Sequence, residues 1–149
     1  MKRHDQSGST SVELALVLMA YLTVLLGILD FSRMLFTWNA ANEATRWGAR
    51  TAVVCDKGDA AVLNHMRSIL PQLTSANVQV NWFDDTGAQS TTCTANTCAG
   101  VEVLIDNLDY TWISPIGFTA TQWFDMPSFA TYLPRESMGE DPNSGVVCD

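Results

Sequence analysis

Glu13 sits where an acid is costly. It heads an apolar run, and from Leu14 to Leu29 no other charged residue occurs. An ionised side chain in a membrane segment is expensive and marks a function with a specific partner. The other residues with reactive potential are Cys55, Cys93, Cys98 and Cys148, all beyond the apolar run. An even cysteine count in a small exported domain reads as disulfides, and four cysteines permit three pairings. The favoured set is Cys93–Cys98, closing a short loop, and Cys55–Cys148, tying the chain end to the end of the first helix. Each such bridge typically contributes about 2–4 kcal/mol. A zinc site is the weaker rival, because Cys93 and Cys98 lack CxxC spacing and His4 and His65 are remote in sequence. Asp84, Asp85, Asp106 and Asp109 are calcium-type ligands, but their spacing fits no calcium loop, and solvated turns are the better reading. No serine–histidine–acid arrangement and no glycine-rich phosphate loop is present. A thiol enzyme using Cys93 and Cys98 is disfavoured by the missing CxxC. The expectation is a chain that is not an enzyme and takes no metal or cofactor.

Composition agrees with an anchored domain. The 149 residues suit one domain plus an anchor. Hydrophobic content is 47% but concentrated near the start, and the chain after Cys55 is polar and acidic. A net charge of −8 argues against nucleic-acid binding, which needs clustered Lys and Arg. The basic residues form no run beyond Lys2-Arg3.

A secretory signal peptide accounts for the basic start and the apolar stretch, but Gly27-Ile-Leu-Asp-Phe-Ser32 offers no good small-x-small cleavage site. A spanning helix needs roughly 20 apolar residues for a ~30 Å core. Leu14 to Leu29 supplies only about 24 Å, so a full span draws in Ser9 to Glu13. Basic residues on both sides (Lys2 and Arg3, then Arg33, Arg46 and Arg50) leave orientation to the cysteines, which place the C-terminal side outside. The arrangement of Gly8, four small or apolar residues, Glu13 and an apolar helix resembles a type IV prepilin signal. The resemblance implies cleavage between Gly8 and Ser9 by a prepilin peptidase, with residues 1–8 a leader. Cleavage there frees a charged amine on Ser9. In lipid that amine and the Glu13 carboxylate, on a neighbouring copy, satisfy one another where each alone is unfavourable. Such pairing sets axial register. The bland alternative is a carboxylate snorkelling at the membrane edge.

The helical pattern continues without proline to Val54, roughly 69 Å from Ser9. Phe31, Leu35, Trp38, Ala41 or Asn42, and Thr45 recur at three and four, predicting the packed stripe of residues 30–54. Asp30 with Arg33, and Glu43 with Arg46, are spaced for local ion pairs. Asp30-Phe31-Ser32-Arg33, Asn39-Ala40 and Ala44-Thr-Arg46-Trp-Gly48-Ala49-Arg50 resemble the TadE-like pseudopilins of the tight-adherence (Flp) pilus system. Ser32 replaces that family's usual glycine, and Trp47 is bulkier than usual. Packing is the expected role of all these residues, Gly48 permitting close helix contact.

Beyond Cys55, Asp59 is a candidate cap for a helix over Ala60–Leu70 that Pro71 stops. Val78 to Phe83 and Val101 to Ile105 alternate as strands, the second running on towards Trp112, with a third over Ser128–Leu133. The expected fold is α+β and pilin-like: a long N-terminal helix, membrane-spanning in its first half (9–29) and amphipathic over 30–54, packed on a small antiparallel sheet within an exported domain at 55–149. The resemblance implies a minor pilin inserted through the inner membrane, its C-terminal domain periplasmic, then carried to a surface pilus. Its expected partners are the prepilin peptidase, a major Flp-like pilin, companion minor pilins, an inner-membrane assembly platform and membrane lipid. The alternative is a membrane-tethered binding module that enters no filament.

Overall fold

The structure, a computed structural model, describes residues 7–55, 57–93, 97–115, 126–134 and 148. Lys2 and Arg3 of the expected leader lie outside the described residues. Helix α1 spans Ser7–Val54, 48 residues, or about 72 Å. The run is dominated by Leu, Ala and Val and holds no proline. Where hydroxyls interrupt it they bond back along the helix: Thr23 Oγ1 donates to the Met19 carbonyl at 2.8 Å and Ser32 Oγ to Ile28 at 2.9 Å. Those bonds remove the need for water in an apolar setting.

The chain divides into two compact units, 1–35 with 110–125 and 36–109 with 126–149. In the first unit every helical residue from Gly8 to Leu22 is exposed. Near its C-terminal end Asp30 is buried, and the described segment 110–115 meets the helix there.

In the second unit Asp59 caps α2 (Ala60–Ile69), its carboxylate accepting the Ala61 N–H at 2.9 Å. Among the described residues three antiparallel strands follow in the order β1 (Val78–Phe83), β2 (Gly100–Ile105) and β3 (Phe129–Pro134), with β2 central. Val103 faces Val80 on one side and Thr131 on the other. The alternation read from the sequence holds, with Val101, Val103 and Ile105 fully buried while Glu102 and Leu104 are not. These side chains join Met66, Leu73, Trp82, Phe129 and the helix alanines in one core.

Two expectations are corrected. The buried face of α1 in this unit is Thr37, Ala40, Ala41, Ala44, Thr45, Gly48, Ala49, Thr51 and Ala52, whereas Trp38 is 41% and Phe36 71% exposed. Of the predicted stripe in this unit Ala41 and Thr45 are buried and Trp38 and Asn42 exposed; Phe31 and Leu35, in the first unit, are exposed as well. The physical reason is distance: small side chains let the helix backbone lie close to α2 and β2, and a Cβ at Gly48 would stand 2.6 Å from Met66 Sδ and 3.2 Å from Val103 Cγ1. The second correction concerns β2, which ends at Ile105. Asp106 N–H donates to the Asn77 carbonyl at 2.9 Å, and Asn107 takes a left-handed φ of 51°, which extended strand geometry does not allow.

Candidate functional site

The first candidate is the exposed apolar helix itself. Among the described residues it is the one helix long and apolar enough to cross a membrane. Gly8, Ser9 and Glu13 are all exposed on it, and a Cβ at Gly8 would meet nothing within 4 Å. Leu14, Val17, Met19, Tyr21, Val24 and Ile28 are each more than 60% exposed. A surface this apolar and this long is stable only when covered by lipid or other chains.

The second candidate is a polar knot built around Asp30, in the same unit. Its side chain is 1% exposed. Oδ1 and Oδ2 both accept the Ile113 amide at 3.1 Å, and Oδ2 accepts the Ser114 amide at 2.6 Å. Arg33, one turn along α1, donates to Oδ1 at 3.3 Å. The Tyr110 hydroxyl donates to the Asp30 main-chain carbonyl at 2.9 Å, and the Arg33 guanidinium lies over the Tyr110 ring at 5.7 Å. Tyr110 and Trp112 meet edge to face at 5.3 Å. Burial pushes the Asp30 carboxyl up, but Ser114, the Ile113 amide and Arg33 outweigh it, so the group sits below its usual value of 3.8. The Ser114 hydroxyl is buried beside the carboxylate yet reaches no partner at hydrogen-bond geometry. The donors that do reach the carboxylate are the Ser114 and Ile113 amides and Arg33. Burial also raises the Tyr110 phenol, further than Arg33 lowers it.

The remaining motif residues divide by face. Ala40, Gly48 and Ala49 are buried in the second unit's core. Phe31, Asn39, Arg46 and Arg50 are exposed. Arg46 stands 3.9 Å from Glu43, both well exposed, so the pair contributes little. Arg50 lies 5.8 Å over the Trp47 ring. Thr45 and Thr131 share a hydroxyl hydrogen bond at 2.9 Å that joins helix to sheet.

Cys55–Cys148 and Cys93–Cys98 are disulfide-bonded, with sequence separations of 93 and 5. Cys55, Asp59 and Cys148 have ligand atoms close together, but the sulfurs are bonded to each other and offer no thiolate. The four aspartates weighed for calcium do not gather. Asp84 and Asp85 follow β1 and Asp106 and Asp109 follow β2; because Phe83 pairs with Gly100 and Val78 with Ile105, the two pairs leave opposite ends of the hairpin. A six-residue strand separates them by roughly 17–20 Å. Asp84 is a turn residue: it accepts Thr86 Oγ1 and the Thr86 and Ala88 amides, bonds that hold its carboxyl low.

Residues 8–50 match the sequence model of a family described as TadE-like protein. Over that stretch the chain is TadE-like. No curated protein and no solved structure matches the chain. The matched stretch runs from the exposed Gly8 through Asp30 to the small-residue face that packs on the sheet. A TadE-like sequence points to a Tad pilus-associated protein of a non-enzymatic family, and the apolar helix fits a single-pass membrane protein. Sequence reasoning missed Tyr110, Ile113 and Ser114, which complete the knot. No period or motif links residues 30 and 113, and the one local signal was an uncharged aromatic cluster, Tyr110-Thr-Trp112.

Proposed function

We propose that this TadE-like chain is a minor pilin or pseudopilin, trimmed after Gly8 and assembled through its apolar helix into, or at the tip of, a tight-adherence pilus. The observation that carries the proposal is the long exposed apolar face of α1, with one carboxylate, Glu13, set five residues beyond Gly8. Nothing in such a face performs chemistry. It is suited to side-by-side packing, first against lipid and then against other pilins, with the assembly platform moving it between the two. The freed Ser9 amine of one subunit meets Glu13 of another, and the paired charges fix the axial step.

N-terminal mass analysis of membrane-extracted protein tests the processing step. Residues 1–8 should be missing when a prepilin peptidase is present and retained when it is not. Protein beginning at Met1 in cells that trim their other prepilins would leave a tethered ectodomain instead. Glu13→Ala is expected to remain inserted and cleaved but to be poorly incorporated. Wild-type incorporation of that variant would rule out the charge pair as the register device.

A further inference from the structure

We infer that residues 110–113 are a membrane-interface anchor, with Tyr110, Trp112 and Ile113 lying in the lipid headgroup layer at a depth set by Asp30. The inference rests on the membrane reading of α1.

The depth follows from the hydrogen bonds. Both Asp30 oxygens and its carbonyl are tied to this segment, through the Ile113 and Ser114 amides and the Tyr110 hydroxyl. Asp30 is the residue directly after the apolar run that ends at Leu29. The segment is thereby fastened to the helix at the end of that run. Its composition suits the place. Tyr110-Thr-Trp-Ile-Ser-Pro115 carries no charge, and Ile113 is 63% exposed although it is a large aliphatic residue. Tyr and Trp collect at membrane–water boundaries because an apolar ring and a polar N–H or O–H share one side chain.

Two further observations fit an interface at this level. Phe31 is 54% and Leu35 45% exposed on the same unit's helix, so apolar surface continues past the acid. Arg33 is half exposed beside the Tyr110 ring, from where its guanidinium can reach lipid phosphate. With Ser9–Glu13 included, the span Ser9–Leu29 covers about 31 Å of a ~30 Å hydrocarbon core, which places Asp30 at its edge. Wrapping Asp30 in amide donors spares it the cost of an unpaired charge at the hydrocarbon edge.

Spin-label accessibility in phospholipid vesicles tests this on the full chain. Among the described residues every cysteine is paired in a disulfide, so one introduced cysteine labels selectively. Labels go at Ile113→Cys, at Val17→Cys as the hydrocarbon reference, and at Thr86→Cys, an exposed turn, as the aqueous reference. The expected result at 113 is a loss of collisions with a water-soluble nickel chelate relative to Thr86, together with increased collisions with oxygen. Adding Asp30→Asn should return position 113 towards the Thr86 values; a label that stays embedded removes Asp30 as the depth-setting residue. If 113 behaves like Thr86 while Val17 is embedded, the anchor is wrong and the membrane reading stands. If 113 is shielded from both reagents, a protein surface covers it and the lipid assignment fails. An aqueous Val17 overturns both readings.

Discussion

Replacing Asp30 by Asn removes a charge while keeping the shape, and the structure says what must follow. The carboxylate takes the Ile113 and Ser114 amides on its two oxygens. Asparagine offers one oxygen, and wherever that oxygen sits its NH2 turns a donor towards donors: Arg33 and the Ile113 N–H if it replaces Oδ1, both amides if it replaces Oδ2. A hydrogen bond to a charged group contributes about 1.5–3 kcal/mol, and a buried donor left unmatched costs about 1–3 kcal/mol. A net loss of about 3 kcal/mol for the 110–114 attachment corresponds to roughly 100-fold in its opening equilibrium, at about 1.4 kcal/mol per tenfold. Amide hydrogen exchange on the full chain in micelles reads this directly. The Ile113 and Ser114 rates should rise together by about two orders of magnitude, with Val103 in the central strand unchanged as an internal control. The pH dependence carries a definite sign. Because the Asp30 carboxyl is held below 3.8, its stabilisation is complete above that value and is lost as pH falls through the lower, folded-state pKa. Between neutral pH and pH 5 the attachment should therefore not weaken. Unchanged exchange at Ile113 and Ser114 in Asp30→Asn would refute the account of the knot, as would a loss of protection near neutral pH in the wild type.

Other outcomes follow from the second unit. Gly48→Ala adds about 1 kcal/mol of helix propensity, but its methyl overlaps Met66 and presses on Val103, both fully buried, and overpacking costs about 1–3 kcal/mol. Thermal melting should show a lower Tm, and a higher one would mean that the core yields there. The double variant Cys55→Ser/Cys148→Ser opens a loop with a separation of 93 residues, which the chain-entropy estimate values at about 4–5 kcal/mol. Its melting temperature under non-reducing conditions should fall well below the wild type's, and an unchanged value would mean that the bridge constrains little. Calcium should leave the melting temperature unaltered, since the candidate carboxylates leave opposite ends of the hairpin; a calcium-dependent rise would place a site that the topology does not predict.

Local rules were enough for much of this chain. Absence of proline and a dense run of helix formers specify α1 to Val54, Asp59 specifies the start of α2, and period-two alternation specifies β1 and β2. Gly8, Glu13 and the motif from Asp30 to Arg50 lie within the stretch that the family match covers. Which face of α1 turns inward was decided by tertiary packing. Spacing alone favoured Phe31, Leu35 and Trp38, because periodicity counts apolar residues without asking how near two backbones must come. In the second unit β2 and α2 approach too closely for large side chains, so alanine, glycine and threonine fill that face, and Trp38 is left at its margin, edge to face with Phe129. Asp30 shows the same limit in polar form. Its sequence context predicted an ion pair with Arg33, and that bond exists at 3.3 Å. Its two amide partners lie more than eighty residues further along. Main-chain N–H groups carry no residue-specific signature, so only the folded chain reveals that they converge on one carboxylate.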